Sequence, residues 1–255
     1  MADSRAIILD GVEINPKNPR KVNPFPFGMG GASAWWSVAA TGASAGGVMP
    51  PYLQNLISGG YPLGRTFSSP IPVVSVAEDV STSTHVAADM RNPSGTGQRY
   101  GYDLASRPAR GTIALAFARH GLGWSVLEAF GYQVWMRAGE WRVATAGQST
   151  PGMDLPVSRV PLPPEGGLCI LTLAWDDDLV TLAVGAGGAT GAQSGTWALP
   201  TDPAARLRLR IPNGTSSSSS VGMKFIAGAM WPTYTSPEML TSIVIPAAKD
   251  AYGVA

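Results

Sequence analysis

The sequence predicts an all-β fold of antiparallel strands with one short helix at the C-terminal end. Three observations carry that expectation. The chain holds 31 glycines and 22 prolines among 255 residues, and charged side chains make up only 14%, a turn-rich, weakly charged composition that suits short strands better than long helices. Across residues 166–245 apolar side chains recur with the period of two that places alternate residues on opposite faces of a strand. Acidic, glycine-rich or serine-rich breaks separate these runs, and such breaks are where chains turn.

Taken in order, Ile7-Ile8-Leu9 and Val12-Glu13-Ile14 flank Asp10-Gly11, a pair that tolerates the positive φ angles of a two-residue hairpin turn, so a small ribbon is expected there. Residues 15–31 carry Pro16, Pro19, Pro24 and Pro26 among basic residues. Each proline removes a backbone donor, so the stretch reads as an extended arm. Phe25, Phe27, Trp35 and Trp36 then fall close together; they either pack the arm onto its own domain or dock it on a neighbouring subunit. The expected division is an arm over residues 1–65 and a β domain over 66–255. Within the arm, Tyr52 to Ile57 reads as a single helical turn.

Residues 71–76 and 84–90 begin the run of strands, and 91–101 reads as a polar loop. Ile113, Leu115 and Phe117 alternate with Thr112, Ala114 and Ala116 in the next strand. Two or three strands follow between Trp124 and Thr145, bringing Trp124, Trp135 and Trp141. Residues 167–175 and 179–184 form a hairpin that turns at Asp176-Asp177-Asp178, and 185–191 is a glycine-rich loop. Arg206 to Ile211 alternates strictly, with Leu207, Leu209 and Ile211 inward and Arg206, Arg208 and Arg210 outward. Five serines (216–220) precede a strand from Met223 to Met230. Ser236-Pro237-Glu238 supplies a capping hydroxyl, a proline at the first helical position and an acid in the first turn, which predicts a helix over Met239 to Val244. The predicted core comprises Ile113, Leu115, Phe117, Leu171, Leu173, Val180, Leu182, Leu207, Leu209 and Phe225.

The order of the last elements resembles a concanavalin A-like or laminin G-like jelly roll: a strand like Leu171–Trp175 turning at acids into one like Leu179–Gly185, a late strand like Lys224–Met230, and then Ser236 to Leu240. The strand at Thr112–Phe117 is similar to an early strand of the laminin G-like family. The resemblance implies a two-sheet antiparallel jelly-roll sandwich. The glycine-rich 185–191 stretch departs from the tight family turn.

Several chemistries have no signature in this chain. A glycosidase needs two carboxylates at a fixed separation, and the glucanase branch of the resembling fold sets them in a Glu-x-Asp-x-Glu run; here Glu128 and Glu140 are isolated. There is no Gly-x-Ser-x-Gly elbow and no phosphate-cradling loop, so no enzyme is expected. Asp176, Asp177 and Asp178 are a candidate Ca²⁺ site or simply a solvated turn, and His85 and His120 lie beside no other ligand residue, so no other metal or cofactor is expected. A formal net charge of +1 argues against a nucleic-acid partner, which calls for clustered cations. No run is long and apolar enough to span a membrane, and no signal peptide is apparent. The lone Cys169 cannot form an intrachain disulfide and reads as a core thiol.

The concentrated polar feature is the arginine row. Like charges at every second residue repel unless an anion or cross-strand acid lies opposite. Arg206, Arg208 and Arg210, with Trp124, Trp135 and Trp141 as stacking platforms, are the candidate ligand-binding residues, and Phe25, Phe27, Trp35 and Trp36 the candidate docking residues. Two readings stand at this point. One is a non-enzymatic virion structural protein, such as a bacteriophage head or tail decoration, fibre or spike component, made in the host cytoplasm, contacting itself and other virion proteins, and adhering to host glycan. The other is a stand-alone carbohydrate-binding, lectin-like module of a bacterial assembly.

Overall fold

The structure, a computed structural model, describes residues 26–42, 46–65, 73–78, 84–90, 99–121, 124–137, 140–146, 153–156, 159–212 and 223–254. The expected Asp10-Gly11 ribbon, Phe25 and the serine run lie outside these residues. In chain order the strands are β1 (Ala34–Ser37), β2 (Tyr52–Leu53), β3 (Leu63–Arg65), β4 (Val73–Glu78), β5 (Thr84–Asp89), β6 (Tyr100–Asp103), β7 (Arg110–Arg119) and β8 (Trp124–Ala129). They continue as β9 (Tyr132–Arg137), β10 (Glu140–Thr145), β11 (Met153–Pro156), β12 (Leu168–Asp176), β13 (Leu179–Ala186), β14 (Ala189–Thr196), β15 (Arg208–Ile211) and β16 (Met223–Trp231).

These strands make two antiparallel sheets, as the sequence predicts. The first runs β14-β13-β12-β7-β16-β5-β4, with β1 also paired to β16; the second runs β11-β10-β9-β8-β15-β6-β3-β2. Between them lies the main core, which contains nine of the ten predicted residues. Leu207 is the exception. It ends a 3₁₀ turn (Ala204–Leu207) ahead of β15 and is only half-buried.

The middle strands of the first sheet are buried on both faces. In β12, Cys169, Leu171, Leu173 and Trp175 face the main core, while Leu168, Ile170 and Ala174 face a second cluster beneath the C-terminal helical segment. A strand covered on both sides reads as a continuous apolar run, which is what Leu168–Trp175 is. On β7 the helix-facing positions are Ala114, Ala116 and Ala118, small enough to let the helix approach closely. Gly185 on β13 goes further: a Cβ there would lie 2.3 Å from Ile245 Cγ2.

The helical segment begins as predicted, with Ser236 Oγ accepting from the Met239 amide and Pro237 in the first turn. It does not stop at Val244. It continues through a π-helical turn (Leu240–Val244) into α-helix (Ile245–Tyr252), and Gly253 ends it at φ 65°. Pro246 has no N–H to donate, and its ring crowds the carbonyl one turn back, so the preceding turn widens instead of terminating. Burial of Leu240, Val244, Ile245 and Ala248 against the first sheet outweighs the local preference to end before proline.

The described part of the expected arm is not separate from the sandwich. Residues 34–37 pair with 227–230 of β16, and β2 and β3 extend the second sheet. A boundary at residue 65 therefore cuts through both sheets. Tyr52-Leu53 is a strand and not a helical turn. Tyr100–Asp103, whose first two residues fall in the expected 91–101 loop, is β6, and Ala189–Thr196, whose first three residues fall in the expected 185–191 loop, is β14, joined to β13 through Gly187-Gly188. The glycine-rich β14 lacks the bulky side chains that advertise strands, and β6 is only four residues long. In β16 the register shifts between Phe225 and Ala227. A bulge at Ile226 moves later residues to the other face, so Phe225 lies in the main core while Ala227 and Ala229 lie under the helix.

Candidate functional site

The C-terminal helical segment covers one outer face of the sandwich, packing on β12, β13 and β14. The outer face of the second sheet carries the remaining polar pattern. Register builds one row across it: Tyr52 on β2 lies opposite Gly64 on β3, which lies opposite Gly101 on β6, then Arg210 on β15, Glu128 on β8, Gln133 on β9 and Ala144 on β10. A flanking row on one side holds Asp103 opposite Arg208. On the other side Ser125, Trp135, Arg142 and Asp154 lie opposite one another. From Tyr52 to Trp135 the face spans five inter-strand steps, about 24 Å.

The two glycines matter to its shape. A Cβ at Gly64 would come within 3.3 Å of the Tyr52 ring, and one at Gly101 would meet the Leu209 carbonyl at 2.0 Å and Arg210 Cδ at 3.0 Å. Tyr52 and the Arg210 stem therefore lie down over side-chain-free backbone, and Tyr52 remains 55% exposed. At the opposite end Trp135 is half-buried, with the Arg137 guanidinium 5.6 Å from its ring centroid, a cation–π arrangement.

Most charges on this face are paired. Arg142 is held by Asp154 at 2.8 Å and Glu140 at 2.9 Å, and the hydrogen bond to Asp154 pushes its pKa up. Arg210 pairs with Asp103 at 2.6 Å and donates to the carbonyls of Tyr102 and Leu209. Three adjacent polar side chains differ. Among the described residues Arg208, Glu128 and Gln133 make no side-chain hydrogen bond or ion pair, although Glu128 and Gln133 are each only 4% exposed. Burial raises the Glu128 pKa above the ordinary 4.5, against the opposing pull of Arg208, Arg210 and Arg99. Burial, then Arg210, lowers that of Arg99.

The raised Glu128 pKa has a consequence for stability. A carboxyl that holds its proton more tightly in the folded state contributes stability below its unfolded pKa and loses it as pH rises through the folded value. Glu128→Gln is therefore expected to be more stable than the parent at pH 7, with the difference vanishing below about pH 4. Thermal melts of both proteins across that range check it; a parent protein more stable at pH 7 contradicts it.

The predicted site residues are distributed differently from the simple row. Arg208 and Arg210 share the outer face, whereas Arg206 sits in the 3₁₀ turn and its Nε donates to the Pro200 carbonyl at 2.7 Å. Trp141 is not a platform: it is fully buried and its Nε1 donates to the Val160 carbonyl. Trp135 remains on the face, and the Trp124 side chain lies outside the described residues. Phe27 and Trp36 are not available for docking. Phe27 packs edge-on against Trp231 under the helix, and Trp36 lies in the main core with its Nε1 donating to the Tyr61 carbonyl. Trp35 takes the other side of β1 and is half-buried.

The three aspartates form the β12–β13 turn. Asp176 lies 3.6 Å from Arg110 Nε, Asp177 adopts φ 51°, and the Asp177 carbonyl accepts from Arg107 and Tyr132. Among the described residues no group of three His, Cys, Asp or Glu side chains is placed to hold a metal ion. Cys169 is buried in the core, and burial pushes its thiol pKa up. Sequence reasoning missed Tyr52 and Gln133 and set Glu128 aside as an isolated acid. The available signal was Glu128 itself, a lone charge between Leu127 and Ala129 inside an otherwise apolar strand.

The sequence matches no protein-family model and no curated protein. Solved structures show the fold. The chain is similar to domain 4 of AbnA, a GH43 extracellular arabinanase from Geobacillus stearothermophilus solved with arabinotriose, at TM-score 0.54 and 10% identity over 84% of this chain and 98% of that one. It is similar to an arabinofuranosidase complexed with arabinofuranosyl-α-1,2-xylobiose, at TM-score 0.52 and 12% identity over 89% of this chain. A Trypanosoma rangeli sialidase gives TM-score 0.50 and 10% identity over 83% of this chain. This chain spans 60% of the arabinofuranosidase and 32% of the sialidase. These likenesses define a class, the β-sandwich domain, and no narrower family.

Proposed function

We propose that the protein is a non-catalytic carbohydrate-binding module of concanavalin A-like type and that the outer face of its second sheet holds the saccharide. The observation that carries this reading is the group Arg208, Glu128 and Gln133, whose side chains make no hydrogen bond or ion pair among the described residues on a face where Arg142 and Arg210 are ion-paired. A carboxylate that accepts, a guanidinium that donates and an amide that does both match the vicinal hydroxyls of a sugar ring. Tyr52 and Trp135 add aromatic surface at the two ends of the strip. The arabinanase domain of similar fold was solved with arabinotriose, an instance of such a sandwich holding a saccharide.

The surroundings of Glu128 support binding without hydrolysis. Glycoside cleavage uses two carboxyls, one of them free to act as base or nucleophile. On this face the charged neighbours of Glu128 are chiefly arginines, and Asp103 is engaged by Arg210. A place in a virion, with copies of itself and other virion proteins as partners, is a further proposal supported by the sequence alone. Its test is co-sedimentation with assembled particles.

Retention on a panel of immobilised plant and bacterial polysaccharides tests the main reading. The parent protein is expected to be retained by at least one, and Tyr52→Ala and Trp135→Ala are each expected to weaken that retention by about 1–3 kcal/mol, the order of a lost aromatic contact, with unchanged melting temperature. Equal retention of parent and variants removes the face from consideration.

A further inference from the structure

We infer that the saccharide held at this face carries a carboxylate and that Arg208 receives it; the inference rests on reading the face as a saccharide site. Among the neighbouring charges, those of Arg208 and Arg210 act most strongly on the Glu128 carboxyl. Arg210 is committed to Asp103 and to two backbone carbonyls. Arg208 stands two residues along the same strand and the same face, opposite Asp103, whose carboxylate is turned to Arg210. It is half-buried, and its side chain makes no hydrogen bond or ion pair among the described residues.

Two like charges at that spacing repel each other unless an anion lies between or above them. A partly desolvated guanidinium whose N–H groups have no hydrogen-bond acceptor among the described residues is costly to keep, and its planar fork matches a carboxylate through two parallel hydrogen bonds. Glu128 and Gln133, one strand and two strands away, are then left for the ring hydroxyls of the same sugar. The chemistry is shared by uronic acids within a polysaccharide and by terminal sialic acids, and matched ligands separate the two sources.

The experiment is calorimetric titration of the full chain with two pairs of ligands: oligogalacturonate against its methyl ester, and sialyllactose against lactose. In one pair the acidic member is expected to bind about tenfold tighter, which identifies the source, and the preference should shrink as salt is raised. Arg208→Gln is expected to abolish the preference while Arg206→Gln keeps it. Equal affinity for acidic and neutral members overturns the carboxylate inference and leaves the saccharide site standing. Persistence of the preference in Arg208→Gln overturns the role given to Arg208. Absence of binding to all four ligands and to the polysaccharide panel overturns both readings.

Discussion

Trp36→Ala is expected to cost about 3–5 kcal/mol of stability, the range for truncating a large buried aromatic. Trp36 is fully buried in the main core, its ring centroid lies 6.2 Å from that of Tyr102, and its Nε1 donates to the Tyr61 carbonyl at 2.9 Å. Truncation leaves a cavity between the sheets and strips that carbonyl of its donor. Removal of residues 1–65 is expected to be worse: it deletes β1 from the first sheet, β2 and β3 from the second, and Phe27 from beneath the helix. That chain should not fold. Denaturant midpoints measured at constant slope read out the point variant, and circular dichroism reads out the truncation. A folded, soluble 66–255 fragment would restore the division between arm and domain that the sequence suggests.

The second large effect is expected where the helical segment meets the first sheet. Gly185→Ala places a methyl 2.3 Å from Ile245 Cγ2 and 3.2 Å from Lys249 Cδ, whereas nothing lies within 4 Å of the same methyl at Gly188. Overpacking of this kind costs about 1–3 kcal/mol, and the helix must shift to relieve it. Gly188→Ala lies in the adjoining turn and should change stability by no more than about 0.5 kcal/mol. The comparison holds chemistry constant over three residues, so melting temperatures separate contact from composition. Equal values for the two variants would mean that the helix does not rest on β13.

How much of this architecture is legible in the sequence depends on how each element is stabilised. Strands with bulky alternating side chains, such as Ile113-Leu115-Phe117 and Leu171-Leu173 against Val180-Leu182, announce themselves because burial and local period agree. β14 does not, since Gly191 and Gly195 supply no side chain to carry a period, and β2, β3 and β6, of two to four residues, are too short to show one; long-range pairing makes them strands. Pro246 reads as a stop, yet packing carries the helix past it. The bulge at Ile226 is invisible for the same reason: local alternation continues smoothly through it, and only the competition between two cores decides the switch.

The candidate site was legible in part. The outward direction of Arg208 and Arg210 follows from strict alternation, but the same alternation extended to Arg206 misleads, because the chain is still turning there. Trp135 and Trp141 are indistinguishable by spacing, and the register with Met136 and Leu155 puts Trp141 inside. Tyr52 and Gln133 join the site only through five strand pairings that bring residues 52, 64, 101, 128, 133 and 210 into one row.

Hydroxyl-radical footprinting of the full chain, with and without a retained oligosaccharide at saturating concentration, tests the location of binding most directly. Oxidation of Tyr52 and Trp135 is expected to fall on binding while Met239, exposed on the helix over the opposite face, is oxidised at an unchanged rate. Protection of Met239, or unchanged oxidation of both Tyr52 and Trp135 under saturation, would contradict that location.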